Sequence, residues 1–150
     1  MEEPIYVELM RTASGIAGCS KCKRAKTGAV IYLVDRHLTL AAHNRIEGSY
    51  DVCKKCPREG RRHGTWDGSD KCPVIHAEVA VIKDARAQGI PTRGAIMVCT
   101  YKPCMPCASE IILAGITSVV YRDEYDGGED VIAFLSRSGV KVRRYSGELS

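Results

Sequence analysis

The chain has 150 residues, 45% hydrophobic and 27% charged, which suits one soluble domain with a core of its own. The 22 basic and 18 acidic side chains leave a formal charge of +4, too weak by itself to argue for nucleic-acid binding. No basic-then-apolar leader opens the chain and no apolar run could span a bilayer, so a cytoplasmic location is expected, where eight cysteines read better as metal ligands than as disulfides.

In chain order, residues 3 to about 18 predict a helix with Ile5, Leu9 and Met10 on one side. Residues 27–34 are β-branched and apolar and predict a buried strand. Asp35-Arg36-His37 makes a tight turn into a second strand at 38–43. The stretch 44–73 has little periodicity and is rich in Gly, Lys, Arg, Asp and Cys. It reads as a cysteine-rich insertion, at about 45–73, in a single domain spanning 1–150. A loop of that length needs a constraint. Val79, Val81 and Ile82 predict a helix from about 76 to 88, ended by Gly89 and Pro91. A strand follows at 95–100, then a helix carrying Cys104 and Cys107 on one face, with Pro103 and Pro106 in its first turn. A strand at 117–121, a helix near 130–137 and a strand at 140–145 complete the chain. Strands alternating with helices imply a helix-covered α/β sheet.

His76-Ala77-Glu78 and Pro103-Cys104-Met105-Pro106-Cys107 carry the chemistry. One imidazole and two thiolates suit a tetrahedral zinc that keeps its fourth position for water. Such a metal brings the pKa of its water from about 15.7 toward 7. Glu78, two residues from His76, can reach that water without ligating the metal and act as general acid and base. A C-x-x-C pair alone also fits a redox pair or a structural zinc knuckle, and His-x-Glu alone says little. Together, with a strand between them, they form the H-x-E…P-C-x-x-C pattern of zinc nucleobase deaminases.

Cys22, Cys53, Cys56 and Cys72 could bind a second, structural zinc that staples the insertion to the first strand region. Cys19 makes Cys19-Ser20-Lys21-Cys22 a further C-x-x-C pair. The set Cys19, Cys22, Cys53 and Cys56 therefore competes, and His63 could replace a thiolate. Cys99 reads as a small core residue within its strand. The basic groups Lys21-Lys23-Arg24-Lys26 and Arg58-Arg61-Arg62-His63 read first as a solvated loop face, and second as attraction for an anion. With Trp66 and Phe134 the only Trp and Phe, a stacking platform for single strands has little support.

Over roughly residues 11 to 145 the chain resembles the deoxycytidylate (dCMP) deaminase family of the cytidine deaminase superfamily. The matching stretches are Thr27-Gly28-Ala29-Val30-Ile31, His43-Asn44, Ile75-His76-Ala77-Glu78, Pro103-Cys104-Met105-Pro106-Cys107, Ala114-Gly115-Ile116 and Val120-Tyr121-Arg122-Asp123-Glu124-Tyr125. The resemblance implies a three-layer α/β/α sandwich around a five-stranded mixed sheet. It implies a catalytic zinc on His76, Cys104 and Cys107, with Glu78 shuttling protons. It favours Cys72 over Cys19 in the second site. It makes Asn44, the Ala77 N–H and Tyr125 the substrate contacts, and dCMP the substrate, with a homo-oligomer, by analogy a hexamer. No nucleic-acid or membrane partner is expected. Relatives commonly read Tyr-Asn-Gly where this chain has His43-Asn44-Arg45, and His-Ala-Glu-x-Asn where it has Ala80. A phosphate grip is therefore sought at Arg45, Lys102 or Arg86. The alternatives are a modified dCMP, a free nucleoside or base, another cytosine-like compound or, from a different class, a zinc-stabilised binding module.

Overall fold

Pro4 opens the first helix, where a missing N–H leaves no bond unmade, and α1 runs Pro4–Ala17. Leu9, Met10, Ala13 and Ala17 fall on its buried side. Ile5 does not join them, being 37% exposed. Tyr6, one position on, turns toward the sheet instead and stacks beneath the Arg143 guanidinium, 4.8 Å from the ring centroid.

The computed structural model describes residues 2–47, 72–125 and 127–147. After α1 come β1 (Gly28–Leu33), a 3₁₀ turn (Val34–Arg36), β2 (Leu38–His43), β3 (Arg45–Ile46), β4 (Val74–Ile75) and α2 (Ala77–Ala87). Then follow β5 (Ile96–Tyr101), α3 (Met105–Leu113), β6 (Ser118–Asp123), α4 (Glu129–Arg137) and β7 (Lys141–Arg144). The main sheet has five strands in the order β2-β1-β5-β6-β7. β1 is antiparallel to β2 and β5, whereas β5, β6 and β7 run parallel, so the sheet is mixed.

Side chains alternate across this sheet with the period of two that strands impose. Val30, Val98 and Val120 face α1 together with Tyr145. Ala29, Ile31, Met97, Cys99, Val119 and Tyr121 face the other way, against Ala77, Val81 and Ile82 of α2, Ala108 and Ile111 of α3, and Val131 and Leu135 of α4. Among the described residues the result is one helix, a sheet and three helices in layers, the expected α/β/α arrangement. The close seating of α1 depends on Gly28, because a Cβ there would stand 2.0 Å from the Ala13 carbonyl oxygen.

The short β3–β4 ladder, with Arg45 opposite Ile75 and Ile46 opposite Val74, has no counterpart in the sequence expectations. It brings residues 45–46 and 74–75 together. Cys53, Cys56, His63 and the basic group at Arg58, Arg61 and Arg62 lie outside the described residues. No helix among the described residues is long and apolar enough to cross a membrane.

Candidate metal centre

Two helices begin at the same place. His76 is the N-cap of α2 and Cys104 the N-cap of α3, both with extended backbone, and neither side chain caps its own helix. Pro103 thus precedes α3, while Pro106 sits in its first turn. The two side chains turn toward each other. His76 Nδ1 lies 3.4 Å from Cys104 Sγ and 3.3 Å from Cys107 Sγ, one turn further along α3. Among the described residues this is the one trio of metal-ligating side chains within 4.8 Å of one another.

The electrostatics suit a cation. A hydrogen bond from Cys107 holds the Cys104 thiol down at about 4. The same bond, with burial, pushes Cys107 well above the usual thiol range. The pair therefore keeps one proton that a soft divalent cation would displace. The free N–H groups and dipole of α3 favour that thiolate further. The donor set and its spacing fit zinc: Zn–S near 2.3 Å and Zn–N near 2.05 Å in a tetrahedron separate S and N by about 3.5 Å.

Glu78 occupies the first turn of α2 and is 6% exposed. Burial is the largest influence on it and raises its carboxyl above the ordinary range, and the Cys107 side chain hydrogen-bonds it. It therefore exchanges protons more readily near neutral pH than a solvated carboxylate would. Ala77 is the first residue of α2, where the helix offers N–H groups with no partner inside it.

Tyr125 follows β6. Its hydroxyl donates to the Pro103 carbonyl oxygen at 2.8 Å. Burial raises its phenol, and the negative charges of Cys104, Glu78 and Cys107 raise it further, which places the ring in the field of the centre. Lys102 is also close by, 5% exposed. Both sit at the carboxyl ends of the parallel pair β5 and β6, where α/β sheets bind ligands.

Asn44 follows β2 directly, with both ends of its amide engaged. Its Oδ1 accepts from the Thr27 N–H at 2.9 Å and its Nδ2 donates to the Ala25 carbonyl at 2.7 Å. It thereby pins the loop that carries Lys21, Lys23, Arg24 and Lys26. Arg45 points elsewhere, its fork gripping Asp84 at 2.7 and 2.8 Å and Glu47 at 3.0 and 3.1 Å. Arg86 lies in the last turn of α2, about 15 Å along the axis from His76, too far to help the centre. Sequence reasoning missed two partners, the Pro103 carbonyl under Tyr125 and Asp84 beneath Arg45. The first had no sequence signal, and the second pairs residues 39 positions apart.

Residues 5–123 match the family model described as the cytidine and deoxycytidylate deaminase zinc-binding region. The chain belongs to this deaminase family. Deoxycytidylate deaminase of Mycobacterium phage D29 is 32% identical over 130 residues, covering 83% of this chain and 99% of the phage protein. ComE operon protein 2 of Bacillus subtilis is also 32% identical over 126 residues, and this chain spans 62% of its length. Among solved family structures, dCMP deaminase from cyanophage S-TIM5, in complex with dCMP and dUMP, superposes with a TM-score of 0.78 at 28% identity. That match covers 97% of this chain and 99% of the cyanophage chain.

Proposed function

We propose that this chain is a zinc-dependent hydrolase that converts dCMP and water to dUMP and ammonia. The observation that carries this reading is the His76–Cys104–Cys107 trio with the buried carboxyl of Glu78 against it. The phage and cyanophage relatives, named deoxycytidylate and dCMP deaminases, support the substrate.

His76, Cys104 and Cys107 would hold zinc, which supplies an acidified water at neutral pH. Glu78 would take a proton from the attacking water as its oxygen bonds the amine-bearing ring carbon, give it to the ring nitrogen, and carry the water's second proton to the amine as the carbon–nitrogen bond breaks and ammonia leaves. The Ala77 N–H orients the pyrimidine carbonyl, Tyr125 borders the ring, and Asn44 contacts the sugar with the hydrogen-bonding capacity its loop contacts leave. We read Cys22, Cys53, Cys56 and Cys72 as ligands of a second, structural zinc, a reading that rests on the family resemblance. Cytoplasmic location and assembly into a homo-oligomer, by analogy a hexamer, belong to the same proposal.

The test is ammonia release from dCMP, deoxycytidine, dCTP and 5-methyl-dCMP, with zinc content measured on the same sample. We expect turnover of dCMP, near two zincs per chain, and near one in Cys72→Ser. Glu78→Gln should keep its zinc and lose about a thousandfold or more in kcat. Persistent activity in Glu78→Gln refutes its role. Equal rates on deoxycytidine and dCMP refute a phosphate-reading pocket. No release from any cytosine compound, with zinc in place, refutes the substrate class.

A further inference from the structure

Lys102 is a lysine inside the protein, 5% exposed, two residues before a metal ligand. Its Nζ donates to the Gly127 carbonyl oxygen at 3.0 Å and stands 4.9 Å from the centroid of the Tyr125 ring. Its backbone N–H donates to the Asp123 carbonyl at 2.9 Å, extending the β5–β6 ladder by one step. Among the described residues no carboxylate pairs with it. Burying an ammonium is costly, and an apolar side chain of equal length would fill the space without that cost. What the charge adds is direction. It fixes one carbonyl and one ring face at once.

Those contacts close a circuit. Lys102 holds Gly127 and the face of Tyr125, the Tyr125 hydroxyl holds the Pro103 carbonyl, and Pro103 is bonded to Lys102 on one side and to Cys104 on the other. Gly128 seals it. A Cβ there would come within 2.9 Å of the Tyr125 ring and 3.0 Å of the Lys102 stem, on a backbone with φ of +85°. The loops after β5 and β6 are thus packed into one body.

We infer that Lys102 is a positioning residue: a buried latch that locks Gly127 and the Tyr125 ring beside the metal centre, rather than an anchor for the substrate phosphate. The consequence for turnover rests on the proposed reading, in which Tyr125 borders the pyrimidine. The latch itself does not.

Zinc-loaded full chain decides it, with Lys102→Met (equal length, no charge) and Lys102→Arg (charge and ring contact kept). In Lys102→Met, amide hydrogen exchange at Tyr125, Gly127 and Gly128 should speed by about tenfold or more while α2 stays protected. KM should rise about tenfold for dCMP, the deoxycytidine KM or inhibition constant should rise in step, and kcat should stay within about threefold. Lys102→Arg should recover most of both effects. A KM rise confined to dCMP overturns the latch, because the ammonium then meets the phosphate. Unchanged exchange at those three amides overturns it as well. If the wild type deaminates no cytosine compound, the proposed function fails and the exchange arm alone decides the latch. If Lys102→Met does not fold, Tyr125→Leu removes the ring from the ammonium and is read by exchange at Gly127 and Gly128.

Discussion

A single methyl group at position 28 would collide with the backbone of α1, which shows how narrowly some residues are specified. The Ala13 carbonyl and the Ile16 side chain leave no room for it, and neither can retreat without lifting the helix. Gly28→Ala should lower stability by about 3 kcal/mol, read as a drop in denaturant midpoint with the slope unchanged. At this scale the sequence was most informative about the candidate metal centre. His76, Glu78, Cys104 and Cys107 lie in two short motifs whose spacing is itself the chemistry. The partners of Lys102, Tyr125 and Arg45 were not legible. Each depends on where a loop returns after 22 or more residues, which no local pattern records.

The helices and long strands emerged close to their expected bounds because each carries a strong period, 3.6 or two. The β3–β4 ladder escaped because strands of two residues have no period to read. What holds this ladder to the body is the Arg45 fork on Asp84, with Lys83 adding to the charge on Glu47. Arg45 keeps the Asp84 carboxyl below its ordinary range. Both partners are partly exposed, so the pair is worth less than its geometry suggests. Asp84→Ala should lower stability by about 1 kcal/mol and speed amide exchange at Arg45 and Ile46, with the loss shrinking in high salt. Unchanged exchange there would mean that the ladder stands without the pair.

Across the whole molecule the two ends of the described chain meet. Arg143 of β7 holds the Glu2 carboxylate with both guanidinium nitrogens, one at 2.8 Å, and the Ser146 N–H and hydroxyl donate to it at 3.0 and 3.1 Å. The Arg143 hydrogen bonds are the main cause that brings Glu2 from 4.5 down to about 2. A carboxylate whose folded value is depressed stabilises the fold above its unfolded value. The stabilisation fades as pH falls from 4.5 toward 2. Glu2→Gln should therefore cost about 2 kcal/mol at neutral pH, allowing for the half-exposed Arg143. The gap to the wild type should close as denaturation midpoints are followed down through this window. A gap that stays constant with pH would show that packing, not charge, ties the ends.

The layers are unequal in a way that separates two kinds of integrity. Among the described residues three helices shield the face that carries His76, Cys104 and Cys107, whereas α1 alone shields the other. Were α1 to swing away about Gly18, Val30, Val98, Val120 and Tyr145 would form an open greasy strip on a sheet that still held His76, Cys104 and Cys107 in register. A preparation could then carry its full metal and still be on its way to clumping, so metal content certifies one side of this protein only.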